Sequence, residues 1–383
     1  MAKTVIIIGA GWAGLPLAHK LLKYTVPKMP DLKVVLVSPN SHFFWNVAAT
    51  RGIIPGEIAD EDLFIPIAPV FEKYGETNFE FVLGAATGIS PSLNSINVGM
   101  TDGTQRTLAY DQLVIASGSR IKSNLPFKLL QSHNETISAW HDLQTKVGNA
   151  SSIVIAGAGP TGIEVAGELG AKYGRKKKIT LIASQPEFLP DASPSVQSTI
   201  MKDLKKLGVN TMMGTKVKDA TQSQITSKWT IETSGAPNST IEADLYLPLH
   251  GVVVNTSFVP EDLLDKSGNL NLQGDFRVAG TSNIWGIGDV GNLEPKQVTV
   301  TDAQIIHLAN ALDTVLTTSN SITPYKKMDK TMIFVSMGRS HATGQIGNWT
   351  LWGFMVNYVK GRKLFMDTAK GYVGGEHLRH AKM

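Results

Sequence analysis

The chain has 383 residues, of which 42% are apolar and 18% charged, with a formal net charge of +4 and no cysteine. That length predicts two or three domains rather than one core. The missing thiols exclude disulfide frameworks, C-x-x-C redox pairs and thiolate metal sites. The basic excess is mild and its one dense internal run, Arg175 to Lys178, reads as a solvated loop, so no specific nucleic-acid partner is expected. No stretch is long and apolar enough to span a bilayer.

The start, "MAKTVIIIGAGWAG", resembles a secretion signal in outline. Its apolar run is short and ends in glycines, so it reads as a first β-strand, Thr4 to Ile8. Ala2 in place of glycine predicts no N-myristoylation. A tight turn with Gly9, Gly11 and Gly14 leads into a helix from Gly14 to about Tyr24, with Pro16 in the first turn, where its missing N–H costs nothing. Strand "LKVVLV" (Leu32 to Val37) closes this unit. After "FFWNVAATRGIIPGE" come short alternating strands, with a hairpin at Asp102-Gly103, and then the buried strand "DQLVIASGS". A polar connection is expected from 119 to about 150. At Ser152 the first pattern returns: strand, Gly157, Gly159, Gly162, helix, then strand "KITLIAS". A β-rich stretch, the segment "NIWGIGDVG", a helix from about Thr301-Asp302, and a β-then-helix piece from about Pro324 complete the chain.

The glycine spacing G-x-G-x-x-G between a strand and a helix suits a pyrophosphate. The first glycine permits the turn, the second lets backbone approach the phosphates, and the third lets helix and strand pack closely. The helix N-terminus adds free N–H donors and partial positive charge. Two such units predict two dinucleotides. The acidic ribose partner is absent from both: Ser38-Pro39-Asn40 follows the first unit's second strand and Ala183-Ser184-Gln185 the other's. Ser38 or Asn40 would bond a ribose hydroxyl instead, and NADH and NADPH both remain open as the second ligand. Asp289, after an apolar strand, suits hydrogen bonds from a polyol such as a flavin ribityl chain. A helix N-terminus near Thr301 would stabilise an anionic reduced ring.

Several segments occur in the order found in flavoproteins with two dinucleotide domains. They are the first fingerprint, Ala116-Ser117-Gly118, the second fingerprint, the turn from Gly251 to Thr256, and Gly288-Asp289. With "NVAATR", "GPTGIEVAGEL" and the tail "FVSMGRSHATGQIGNWTLWGFMVNYVKGRKLF", the chain resembles the ferroptosis-suppressor/AIF-like, mitochondrion-associated flavoprotein family over nearly its whole length. The resemblance implies an α/β fold of two Rossmann-like three-layer domains, the second inserted in the first, with a small C-terminal β/α domain. The FAD-binding domain would take 1–120 and 245–323, the NAD(P)H-binding domain 121–244, and the cap 324–383. It implies FAD on Ser38, Arg51, Ala86, Gly118, Gly288 and Asp289 beside the first three glycines. It places Glu164 near the nicotinamide and flavin, with Lys360 and Phe365 on the side of a quinone. The implied activity is hydride transfer from NAD(P)H to the flavin and two electrons onward to a quinone-like acceptor. The alternative is a flavin-dependent oxidase or dehydrogenase acting on a small metabolite. A cytoplasmic protein is expected, with peripheral lipid contact through the C-terminal helix as a further possibility.

Structural alternatives accompany these assignments. A carboxylate such as Glu164 is favoured near a helix N-terminus for its charge alone. Trp352, Phe354, Met355 and Tyr358 read as core, with Lys360, Arg362 and Lys363 on the wet face of the same helix. His341 reads as surface, and His377 and His380 as no metal site. "FKLLQSH" (Phe127 to His133) has the Phe and His spacing of the F-x-G-x-x-x-H flavin monooxygenase fingerprint. Leu129 stands in its glycine place, and the match reads as chance.

Overall fold

The computed structural model describes residues 3–234, 239–318, 320–328 and 332–377; Ala2 and His380 lie outside them. Strand β1 (Lys3–Ile8) is fully buried from Val5 to Ile7. A run apolar on both faces belongs inside a covered parallel sheet. Helix α1 (Gly14–Lys20), which continues through a π-turn to Thr25, covers one face. Then come β2 (Leu32–Ser38), β3 (Phe79–Ser90), β4 (Ser95–Met100), β5 (Gln105–Ala109) and β6 (Gln112–Ile115). The Asp102-Gly103 turn joins β4 to β5: Gly103 has φ +85°, and Asp102 accepts from Thr104 N at 2.9 Å.

Strand β7 (Ser119–Ile121) leaves this domain, and helix α2 (His133–Asn149) follows. The helix replaces the expected polar connection. Its start was legible: Ser132 accepts from Glu135 N at 3.1 Å, and S-x-x-E is a capping-box signature. It packs on the first domain, with Trp140 against Phe44 and Phe64 and Gln144 donating to the Gly52 carbonyl.

The second domain has β8 (Ser152–Ala156), α3 (Pro160–Tyr173), β9 (Lys178–Ile182), α4 (Pro194–Lys206), β10 (Val209–Met212) and, after an antiparallel meander, β11 (Leu245–Pro248). Its sheet runs β10-β9-β8-β11, all parallel. Leu245 to Pro248, expected in the first domain, therefore belong to the second because they pair with Ile153 to Ala156. The return crossing lies just beyond, where β12 (Val252–Val254) pairs antiparallel with β7. Asn255 fastens the two passes by donating Nδ2 to the Ser117 carbonyl at 3.0 Å and accepting Ser117 Oγ on its own carbonyl at 2.6 Å.

Strand β13 (Ile284–Gly286) completes the first sheet, in the order β13-β6-β1-β2-β3-β4-β5, parallel as far as β3. Helix α5 (Val298–Thr317) starts three residues before Thr301. The last domain is an antiparallel sheet of β14 (Met332–Ser336), β15 (Ala342–Ile346) and β16 (Trp349–Leu351), followed by short helical turns. It docks on the second domain, where Gln345 Oε1 accepts from Ser193 N at 2.6 Å. Its end returns to the first, where Tyr372 donates to the Trp12 carbonyl at 3.1 Å.

Candidate functional site

Each glycine turn is packed at two positions and bare at one. A Cβ at Gly9 (φ +107°) would lie 2.3 Å from the Ala116 carbonyl oxygen, and one at Gly14 would lie 1.9 Å from that of Gly9. Nothing lies within 4 Å of a Cβ at Gly11. The second unit repeats this: Gly157 (φ +112°) meets Leu249 at 2.7 Å, Gly162 meets Gly157 at 1.8 Å, and Gly159 is open. Bare backbone at the middle position, before a helix N-terminus, is the cradle a pyrophosphate needs. Gly159→Val therefore tests the second cradle. The variant is expected to fold and keep flavin, with KM for the nicotinamide cofactor raised about tenfold or more. Steady-state titration measures this, and an unchanged KM refutes the assignment.

At the end of β2, Ser38 Oγ is engaged by the loop itself: it donates to the Asn40 carbonyl and accepts from Asn40 N, both at 3.1 Å. Asn40 donates Nδ2 to the Leu130 carbonyl at 3.1 Å, but its buried Oδ1 has no partner. Ala86 lies on β3 beyond the Ser38–Leu83 pairing, past the parallel part of the sheet. Gly118 (φ +70°) sits at the crossover with nothing within 4 Å of a Cβ.

Gly288 (φ +77°) donates its N–H to Gln304 Oε1 at 2.8 Å, tying the turn to α5. Asp289 Oδ2 accepts from Lys128 Nζ at 2.6 Å and Ser119 Oγ at 2.5 Å, and Lys296 takes the Asp289 carbonyl at 2.5 Å. Burial pushes the Asp289 carboxyl up, yet Lys128's charge, hydrogen bonds from Lys128 and Ser119, and the charge of Lys296 hold it below the usual range. The carboxylate is thus ionised and ready to accept hydroxyls. Open glycines, an unpaired buried acceptor and an ionised acid together fit a dinucleotide bearing a polyol.

Helix α3 carries a second buried acid that the sequence reading missed: Glu168, one turn after Glu164 on the same face. Glu164 Oε1 accepts from Ser336 N at 3.1 Å, Ser336 Oγ at 3.3 Å and Lys360 Nζ at 2.5 Å. Lys360 also donates to the Phe334 carbonyl at 2.9 Å. The structure therefore joins two of the three expected catalytic residues, Lys360 and Glu164, 196 positions apart in the chain, as one ion pair with side chains 12% and 6% exposed.

Arg51, expected on FAD, is instead committed to Glu168 through Nε at 2.9 Å and an Nη at 2.8 Å, and to the Gly361 and Arg362 carbonyls. The short helix Ala49–Gly52 turns it toward α3 and the C-terminal domain. On its outer side it borders a cavity of about 330 Å³ shared with Glu57, Arg339 and Lys363.

Phe365 (φ +57°) and its buried neighbour Leu364 (φ +50°) both take the left-handed conformation that bulky residues avoid. Trp45 holds that turn by donating Nε1 to the Leu364 carbonyl at 2.9 Å. Such strain, four residues after Lys360, points to function.

The aromatic residues expected in the core are not there. Trp352 and Phe354 are both 69% exposed, Tyr358 73%, and Met355 is exposed too. The chain ahead of them forms a β-edge and the helix lasts barely one turn before a π-turn, so this stretch presents its rings outward. Arg362 lies over the Tyr358 ring. His341 is half-buried rather than at the surface. Among the described residues no cluster suits a metal, and no helix is long and apolar enough to cross a membrane.

Comparison with known proteins adds a family and relatives. Residues 3–304 match the model for pyridine nucleotide-disulphide oxidoreductases. The chain is 41% identical to Oxidoreductase ptaL of Pestalotiopsis fici, over 98% of this chain and 100% of that one. It is 27% identical to human ferroptosis suppressor protein 1, over 95% and 94% respectively. In fold it resembles the sulfide:quinone oxidoreductase of Aquifex aeolicus, with TM-score 0.77 and 19% identity, over 98% of this chain and 92% of that one.

Proposed function

The chain belongs to the pyridine nucleotide-disulphide oxidoreductase family, and we propose that it passes electrons from NAD(P)H to a quinone without the disulphide of the family's name. It is an FAD-dependent NAD(P)H oxidoreductase of the ferroptosis-suppressor/AIF-like kind. The absence of cysteine leaves no thiol to relay electrons. Bound FAD supplies the two-electron relay between donor and acceptor.

The chain's own work is binding, orientation and proton supply. The two open glycine turns hold the two pyrophosphates. Reduction of a quinone by NAD(P)H consumes one proton from solvent for each quinol formed. Lys360 Nζ, held on Glu164 Oε1, is our candidate to present that proton to an acceptor oxygen. This ion pair carries the proposal, because it fixes a charged donor from the C-terminal domain on the helix that opens at the nicotinamide fingerprint. Purified protein should be yellow, and NADH or NADPH should bleach it anaerobically. A quinone should restore the colour faster than oxygen does. If oxygen outpaces every quinone, the acceptor assignment gives way to an oxidase.

We place the exposed ring cluster of Trp349, Trp352, Phe354 and Tyr358 against the surface of a lipid bilayer, as a peripheral contact of a cytoplasmic protein. Arg362 and Lys363 beside it would favour anionic headgroups. Vesicles containing phosphatidylserine should float the wild type, and a Trp352→Ser/Phe354→Ser variant should stay behind. Equal flotation of both removes this contact.

A further inference from the structure

The segment Phe127–Ser132, dismissed above as a chance fingerprint, touches the first nucleotide unit at three places. The Phe127 carbonyl accepts Asn46 Nδ2 at 3.4 Å, and Asn46 Oδ1 in turn accepts Trp12 Nε1, from the glycine turn, at 2.8 Å. Lys128 bonds both Asp289 and Ser119 at 2.6 Å. The Leu130 carbonyl orients the Asn40 amide. One short stretch therefore runs from the polyol-binding end of the site to the end of β2. Its far end is anchored by Ser132, which caps α2, and by Thr136, whose hydroxyl takes Leu130 N.

The contacts at Asn40 distinguish the two neutral residues that the sequence offered. Of the two neutral residues in place of the missing acid, Ser38 has its hydroxyl occupied by the Asn40 backbone. Asn40 is 3% exposed, with Nδ2 fixed and Oδ1 unpaired. A buried acceptor without a donor is costly, and a ligand hydroxyl arriving there removes that cost.

We propose that the Phe127–Ser132 segment is part of the FAD site, in which Asn40 Oδ1 accepts a hydroxyl of the adenosine ribose and Lys128 positions the Asp289 carboxylate for the ribityl chain. The inference rests on FAD binding, with Asn40 standing in for the absent acidic ribose ligand and Lys128 acting at the other end of the site. A neutral acceptor recognises the ribose by hydrogen bonding alone, and the charge on the polyol end comes from a lysine supplied by the interdomain segment.

Apo-protein titrated with FAD and with its 2′-deoxy- and 3′-deoxyadenosine analogues tests the first half. The wild type should bind one analogue roughly tenfold more weakly than FAD. Asn40→Leu should bind FAD as weakly as the wild type binds that analogue, and should no longer distinguish the two. Asn40→Ala, smaller and free of overpacking, should behave alike. Wild-type affinity for FAD in both variants, or undiminished discrimination between FAD and the analogue, overturns the assignment. For Lys128, FAD affinity is followed against pH. In Lys128→Met the acid-side loss of binding should begin at higher pH than in the wild type, and Lys128→Arg should restore the profile. Coincident profiles overturn it. If the wild type itself took up no FAD, the family reading would fall as well; uptake with unaltered variants sinks this inference alone.

Discussion

Arg51→Met is expected to destabilise the folded protein by about 3–5 kcal/mol, because it strands a buried carboxylate. Arg51 and Glu168 are each 3% exposed and joined by two hydrogen bonds, and the same guanidinium satisfies the Gly361 and Arg362 carbonyls. Those bonds link three parts of the molecule: the "NVAATR" helix, the second domain's α3 and the C-terminal domain. Replacing both partners, in Arg51→Met/Glu168→Leu, removes the stranded charge and should recover much of the loss. Denaturant midpoints of the two variants measure this. A double variant no more stable than the single one refutes the account.

The pH dependence has a definite sign. Burial lifts the Glu168 carboxyl above its ordinary range, against the pull of Arg51, and Glu164 lifts it further. A raised carboxyl means that the folded protein binds the proton more tightly than the unfolded chain, whose value is about 4.3. Stability from this group is present below that value and falls as pH rises through the folded one. Removing Arg51 takes away the opposing attraction and widens the window. The Arg51→Met penalty should therefore be larger at pH 8 than at pH 5. A penalty that grows on acidification would contradict this.

The doubled fingerprint was legible because its physics is local. The third glycine packed on the first, the open second and the following helix are set within a dozen contiguous residues, and both units have that geometry; only the packing of the first glycine, on Ala116 or Leu249, comes from the end of a distant strand. The turn at Gly288–Asp289 after an apolar strand was legible, but its partners Lys128, Ser119 and Gln304 were not. Arg51 was misread because a buried arginine takes the partner its tertiary neighbours offer, and Glu168 lies 117 positions away. The spacing of Glu164 and Glu168 on one helix face was nevertheless in the sequence, as was the Ser132–Glu135 cap. Lys128 was hidden by its context, since nothing in "FKLLQSH" shows that Asp289, 161 positions later, will meet it. The exposed rings were misread because aromatic spacing signals a buried face only if the helix is long enough to have one, and here it ends within about a turn.

Lys360→Met separates the nicotinamide side of the reaction from the acceptor side. Lys360 lies on the C-terminal segment, between the Phe334 carbonyl and Glu164, four residues from the strained turn that presents Phe365. If its ammonium presents the proton taken up with each acceptor, its loss should slow acceptor-dependent reoxidation about 100-fold. Bleaching by NAD(P)H, which draws on the glycine cradle and needs no proton from this group, should stay within several-fold of the wild type. Glu164→Gln removes the counter-charge but leaves Ser336 a partner through the amide oxygen. It should impair both phases, since the acid also lies on the nicotinamide-side helix. Anaerobic stopped-flow with each half-reaction observed alone provides the measurement. The decisive companion is a solvent isotope effect on reoxidation, which proton delivery through Lys360 makes large in the wild type and a purely structural lysine would leave near unity. Equal slowing of both phases in Lys360→Met, with no isotope effect in the wild type, would reduce the Lys360–Glu164 pair to a strut between domains.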